Sequence, residues 1–281
     1  MNSPEGNHHA ARAARETDLA CDEVFELLPP LWRSELEGAH CESVSSGLSG
    51  ASVWRLSGSS SPDSYLKLGA GPHTERIRQE ILRTAWLHSH GANVPPILKT
   101  IVQPEFAAML VAALPGEPIE SCGLPPDIVV RVLGRELSKL HSLPVVSCPF
   151  DEGIRTRLER AEAAIAGQQI DPAEFRSSNS NMTPEGLFRR LVSRAPPPED
   201  LVVVHGDATF ANILIDGLQQ IGFVDCGHSG RADRYVDLAL VASEIEERYG
   251  KDRMPALAKS YGLSRWDAHR AEFFLDLYEF F

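Results

Sequence analysis

His205-Gly206-Asp207, then Asn212, and Asp225-Cys226-Gly227 thirteen residues further on, are the densest cluster of reactive side chains in this 281-residue chain. The carboxylate of Asp207 could accept a hydrogen bond from an attacking hydroxyl and take its proton late in a reaction. Asn212 and Asp225 offer hard oxygens to Mg²⁺, which prefers near-octahedral oxygen ligation and keeps several waters. Those are the parts of a phosphoryl transfer to a hydroxyl: one group to orient the nucleophile and two to hold the metal. Gly206 and Gly227 leave room for tight loops beside the carboxylates. Each Asp taken singly also fits a turn or a cap. The joint spacing between two β-rich runs, 201–205 and 221–225, favours the chemical role.

Those two runs must be positioned by a second half that reads as helical, with apolar periods expected to form helices over 127–143, 153–166, 183–193, 236–249 and 265–281. The first part has a different texture. Strands are expected near Val44 and over 51–56, 65–68, 97–102 and 106–111. A helix over 74–88 places Ile77, Ile81, Leu82, Ala85 and Trp86 on one face. Pro29 and Pro30 interrupt an earlier helical stretch, 22–28, before 31–36. The fold class expected is α+β: a fraying segment 1–22, a β-rich N-lobe over 23–112 and an α-rich C-lobe over 113–281.

A hydrophobic content of 43% argues against disorder, and the formal net charge of −12 argues against a nucleic-acid partner while permitting a cationic one. No apolar run approaches the ~20 residues that span a bilayer, and the opening MNSPEGNHHAARAARETD lacks the apolar core of a signal peptide. A cytoplasmic protein with no membrane contact is expected, and nothing points to an obligate protein partner. Cys21, Cys41, Cys122, Cys148 and Cys226 are scattered without metal-ligand spacing, as reduced thiols would be.

Over roughly 45–281 the sequence resembles the aminoglycoside phosphotransferases, specifically the 3'-phosphotransferase branch. The resemblance rests on Val204-His-Gly-Asp207, Phe223-Val-Asp-Cys-Gly227, Ala232-Asp-Arg-Tyr-Val-Asp-Leu-Ala239 and the ending Glu279-Phe280-Phe281 in order. It implies a protein-kinase-like, two-lobed fold and use of ATP, with GTP as the alternative, together with Mg²⁺. It implies that Lys67 contacts the α and β phosphates and that Glu80 pairs with it. Ser49, in the loop 46–52, would cap phosphates, and Ala112 and Leu114 would flank a hinge that binds the purine. Neither a G-x-x-x-x-G-K-[ST] nor a G-x-G-x-x-G loop is present, which disfavours a P-loop enzyme.

The same resemblance implies an aminoglycoside substrate, a polycation held by Glu174, Glu246, Glu247, Glu279 and the terminal carboxylate of Phe281. Three positions depart from the family. The segment 174–181, usually rich in Asp, reads EFRSSNSN; His228 stands where an arginine usually follows D-x-G; and Tyr278 replaces an acid just before the last Glu. These departures leave open which aminoglycosides are accepted. They also leave open a kinase of this fold for another antibiotic or hydroxylated metabolite, and a nucleotide-binding pseudoenzyme.

Overall fold

The computed structural model describes residues 28–36, 38–44, 51–58, 61–194 and 198–281. They fall into two compact units, one holding the described residues up to Ala85 with Pro95–Ala113, the other Trp86–Val94 with Leu114–Phe281. The segment 1–22, most of the helical stretch 22–28 and the loop residue Ser49 lie outside the described residues.

In the first unit, α1 (Pro30–Leu36) precedes β1 (His40–Ser43), β2 (Ser52–Gly58), β3 (Ser61–Ala70), the greater part of α2 (Thr74–Ser89), β4 (Ile97–Val102) and β5 (Phe106–Ala112). The strands form one antiparallel sheet in the order β1-β2-β3-β5-β4. The period of two decides its faces. Trp54, Leu56, Leu66, Leu68, Ala108 and Leu110 cluster with Leu28 and Trp32 in a buried core. Each large side chain taken from water there contributes about 1.5–3 kcal/mol. Lys67, between Leu66 and Leu68, therefore points to the opposite face, where α2 presents Glu80. Shifting β3 by one residue would bury the lysine in the apolar core and expose both leucines.

The second unit continues with β6 (Glu117–Pro118), α3 (Pro126–His141), α4 (Ile154–Ala166), α5 (Pro184–Ser193), β7 (Leu201–Val204), β8 (Ile213–Ile215), β9 (Ile221–Phe223), β10 (Gly230–Asp233), α6 (Tyr235–Tyr249), α7 (Met254–Tyr261) and α8 (Ala268–Tyr278). Val129, Val130, Val132, Leu133, Leu137 and Leu140 make a buried stripe along α3. A Cβ at Gly134 would stand 2.1 Å from Ser260 Oγ, so glycine lets α7 come close. Thr183 and Asp267 cap α5 and α8 by accepting the Gly186 and Arg270 N–H groups. Two small antiparallel sheets, β10-β7 and β6-β8-β9, frame the reactive loop.

The fold is α+β, a β-sheet region followed by a helical one. α7 and the short strands β6, β8 and β10 were not expected from the sequence, and α8 stops at Tyr278 rather than running to Phe281. Cys41 is disulfide-bonded, a departure from the expectation of thiols throughout, whereas Cys122, Cys148 and Cys226 are free and buried. Among the described residues no helix is long and apolar enough to cross a membrane.

Candidate active site

β7 runs into His205, and the chain turns at Gly206 with φ +89° before reaching Asp207. Asp237, fully buried near the start of α6, fixes this turn. Its Oδ2 accepts the His205 N–H at 2.7 Å and its Oδ1 accepts the Gly206 N–H at 2.8 Å. His141 Nε2 lies 3.0 Å from the same carboxylate, and its Nδ1 lies 2.7 Å from the Tyr261 hydroxyl. Burial pushes the Asp237 carboxyl up, but His141, the charge of His205 and the Gly206 N–H more than offset it and hold it below the usual range. From the other side, Arg157 donates to the Gly206 carbonyl at 3.1 Å. Two turns along α6 from Asp237, on the same face, Glu244 accepts the Phe210 N–H. Burial raises the Glu244 carboxyl to about 7 despite that bond, with Asp207, Glu120 and Glu247 adding to the rise.

The Asp207 carboxylate is gripped at both oxygens. Asn212 Nδ2 donates to Oδ2 at 2.8 Å, and the Tyr278 hydroxyl donates to Oδ1 at 2.6 Å. Asn212 also donates to the Asp207 carbonyl at 3.0 Å, which closes the loop between the two residues. The β8–β9 register, Ile213 opposite Phe223, places Asn212 and Val224 at one end of the ladder, where the Val224 N–H donates to the Asn212 carbonyl at 2.9 Å. Asp225 follows at once, in the left-handed region at φ 58° and ψ 58°. Asp tolerates that conformation better than most residues because its short polar side chain bonds locally.

In the first unit, Lys67 Nζ and Glu80 Oε1 form an ion pair of 2.6 Å with side-chain exposures of 15% and 6%. Ala112, the last residue of β5, donates its N–H to the Pro96 carbonyl at 2.9 Å. In the second unit, Leu114 packs over Gly222, where a Cβ would approach its Cδ1 to 2.6 Å.

The residues expected to hold substrate are not gathered by direct contacts. Glu174 is exposed at the end of a 3₁₀ turn, Glu247 is exposed on α6, and Glu246 pairs with Lys251 at 2.7 Å. Glu279 is turned inward, accepting the Arg176 N–H and Nε at 3.1 Å and Asn179 Nδ2 at 2.8 Å. The half-exposed ring of Phe281 faces His228 and lies under the Arg157 guanidinium, 5.2 Å away. Sequence reasoning missed Glu244, Asp237 and the contact made by Tyr278. His141 is buried, with a polar partner at each ring nitrogen. The available signal for Glu244 was its spacing of seven from Asp237 on one helix face.

A profile of the phosphotransferase enzyme family matches residues 40–274. An aminoglycoside 3'-phosphotransferase of Niallia circulans is 32% identical over 238 residues, covering 84% of this chain and 90% of that protein. Among solved structures, an aminoglycoside 3'-phosphotransferase of type VIII superposes with a TM-score of 0.80 at 29% identity, covering 89% of this chain and 97% of the other. An aminoglycoside phosphotransferase of Streptomyces rimosus, solved with ADP and streptomycin, gives 0.76 at 25% identity, with 89% and 96% covered. With its α+β fold, its paired Asp207 and Asn212 and these likenesses, the chain belongs to the phosphotransferase enzyme family, a nucleotide-using group that includes the aminoglycoside 3'-phosphotransferases it resembles.

Proposed function

We propose that the chain transfers the γ-phosphoryl group of ATP to the 3'-hydroxyl of a 2-deoxystreptamine aminoglycoside such as kanamycin, and so confers resistance. The observation that carries this reading is the Asp207 carboxylate, held at one oxygen by Asn212 while the β8–β9 ladder brings Asp225 to the same end. Asp207 accepts the hydrogen bond of the attacking hydroxyl, orients it and receives its proton as the new P–O bond forms and the bond from the γ-phosphorus to the bridging oxygen breaks, releasing ADP. In the same reading Lys67, fixed by Glu80, meets the α and β phosphates, with Ser49, Ala112 and Leu114 around the nucleotide.

The donor set suits Mg²⁺. Asn212 spends its amide nitrogen on Asp207, which leaves its oxygen for a cation, and Asp225 adds a carboxylate. Mg²⁺ takes one or two protein oxygens and completes its shell with water and phosphate. Bound there, the cation would neutralise developing charge on the phosphate oxygens.

Glu174, Glu246, Glu247 and the terminal carboxylate supply anions for the substrate's amines; Glu279 contributes less, since Arg176 already neutralises it. The cytoplasm, where ATP is abundant, is the compartment this chemistry needs. Phosphate release and NMR location of the transferred group, with ATP and a panel of kanamycin, neomycin and streptomycin, test the reading. Phosphorylation of kanamycin at the 3' position, abolished by Asp207→Asn, is the expected result. Transfer only to streptomycin would move the substrate to another hydroxyl, and ATP binding without transfer to any acceptor would make the chain a pseudoenzyme.

A further inference from the structure

The C-terminal helix ends against the site, and its last residues are immobilised from both sides of Tyr278. Asp276, fully buried, accepts hydrogen bonds from Arg176 at 2.9 Å, Asn179 at 3.0 Å and Arg194 at 2.9 Å, and pairs with Arg190 at 2.8 Å. Glu279, one residue beyond Tyr278, is held by Arg176 and Asn179. Two anchored carboxylates therefore bracket the tyrosine and fix the stretch of backbone that carries it. That phenol stands 2.6 Å from Asp207 Oδ1.

We propose that Tyr278 is the positioning residue of the proposed base: the clamp of Arg176, Asn179, Arg190 and Arg194 on α8 fixes the phenol, and the phenol fixes Asp207. The inference rests on the reading of Asp207 given above. A carboxylate turns about two side-chain torsions, and a single donor leaves it free to pivot about that contact. A second donor on the other oxygen, from a different element, stops the pivot. Asn212 reaches Oδ2 from within the loop and Tyr278 reaches Oδ1 from α8. One lone pair of Oδ1 then remains for the acceptor hydroxyl, whose approach is set by the phenol beside it. Burial and the neighbouring Asp207 charge both raise the Tyr278 phenol, so it stays protonated and acts only as a donor.

Three variants measured for kcat, KM and melting temperature with kanamycin and ATP test the proposal. Asp207→Asn serves as the control for the base itself. Tyr278→Phe keeps the ring and removes the donor, and should lower kcat about tenfold with both KM values within about twofold and the melting temperature nearly unchanged, because the contact is used in the transition state. Replacing Tyr278 by p-aminophenylalanine, which restores a donor at the same place, should return most of the lost kcat. An unchanged kcat in Tyr278→Phe, a loss confined to KM, or a failure of the amino analogue to rescue would overturn the proposal. Turnover that survives Asp207→Asn would instead overturn the role given to Asp207.

Discussion

Gly206 carries two demands that no other residue meets at once. Its φ of +89° is strained for any L side chain, and a Cβ would lie 2.0 Å from the His228 carbonyl oxygen. Gly206→Ala should therefore displace Asp207 as well as cost about 2–4 kcal/mol of stability, read by urea denaturation, with turnover falling at least about a hundredfold. An alanine variant with normal activity would mean that the loop relaxes without moving the carboxylate. Asp225 allows a gentler change. Asn also tolerates the left-handed region, so Asp225→Asn should fold normally and need a higher Mg²⁺ concentration for half-maximal rate, measured by titrating the metal at saturating ATP. The spacing of Asp207, Asn212 and Asp225 made this loop legible as a candidate site in the sequence, because two carboxylates and a carboxamide at such intervals between two strands rarely coincide. The hydrogen bond from Tyr278 had no such signal. A single aromatic at a helix end looks the same whether it packs or donates.

Helix α6 is the element that sets the geometry of the loop, and it does so from one face. Asp237 takes the N–H groups of His205 and Gly206, and Glu244 takes that of Phe210 two turns later. The two carboxylates respond oppositely to pH. Glu244 is raised from 4.5 to about 7 in the folded protein, so between those values the folded state holds a proton that the unfolded chain has released. Stability must then fall as pH rises from about 4.5 to about 7 and level off above, a loss of roughly 1–2 kcal/mol once partial solvent screening is allowed for. Glu244→Gln keeps an acceptor for Phe210 and should flatten that slope in urea titrations across pH 5–8; a slope equal to that of the wild type would place its origin elsewhere. Elements of this length were readable from the apolar period, as α6 and α3 were. β8, of three residues, and β10, with the polar sequence Gly-Arg-Ala-Asp, were not, because so short a strand is specified by its partner in the ladder rather than by its own pattern. The neutralisation of Glu279 was hidden for the same reason: Arg176 lies 103 residues away in the chain.

For the molecule as a whole, 39 acidic against 27 basic residues give a field that attracts cations, and the substrate proposed is a polycation while ATP is an anion. Long-range attraction of this kind acts on encounter and is screened beyond about 10 Å at 0.1 M salt. The two substrates should thus part company as salt is raised. Between about 0.05 and 0.5 M KCl, kcat/KM for kanamycin should fall about tenfold or more, whereas kcat/KM for ATP should hold or rise as repulsion is screened. Initial rates with each substrate varied at saturating levels of the other separate the two effects. In the proposed reading the exposed acids Glu174 and Glu247 and the half-exposed Glu246 would turn toward an incoming amine, but Glu246 already shares its charge with Lys251. Charge reversal at Glu247, in Glu247→Lys, should accordingly raise KM for kanamycin more than the same change at Glu246, and the gap between them should close at high salt. A salt response equal for both substrates would assign the net charge of −12 to solubility and leave recognition of the sugar to short-range contacts.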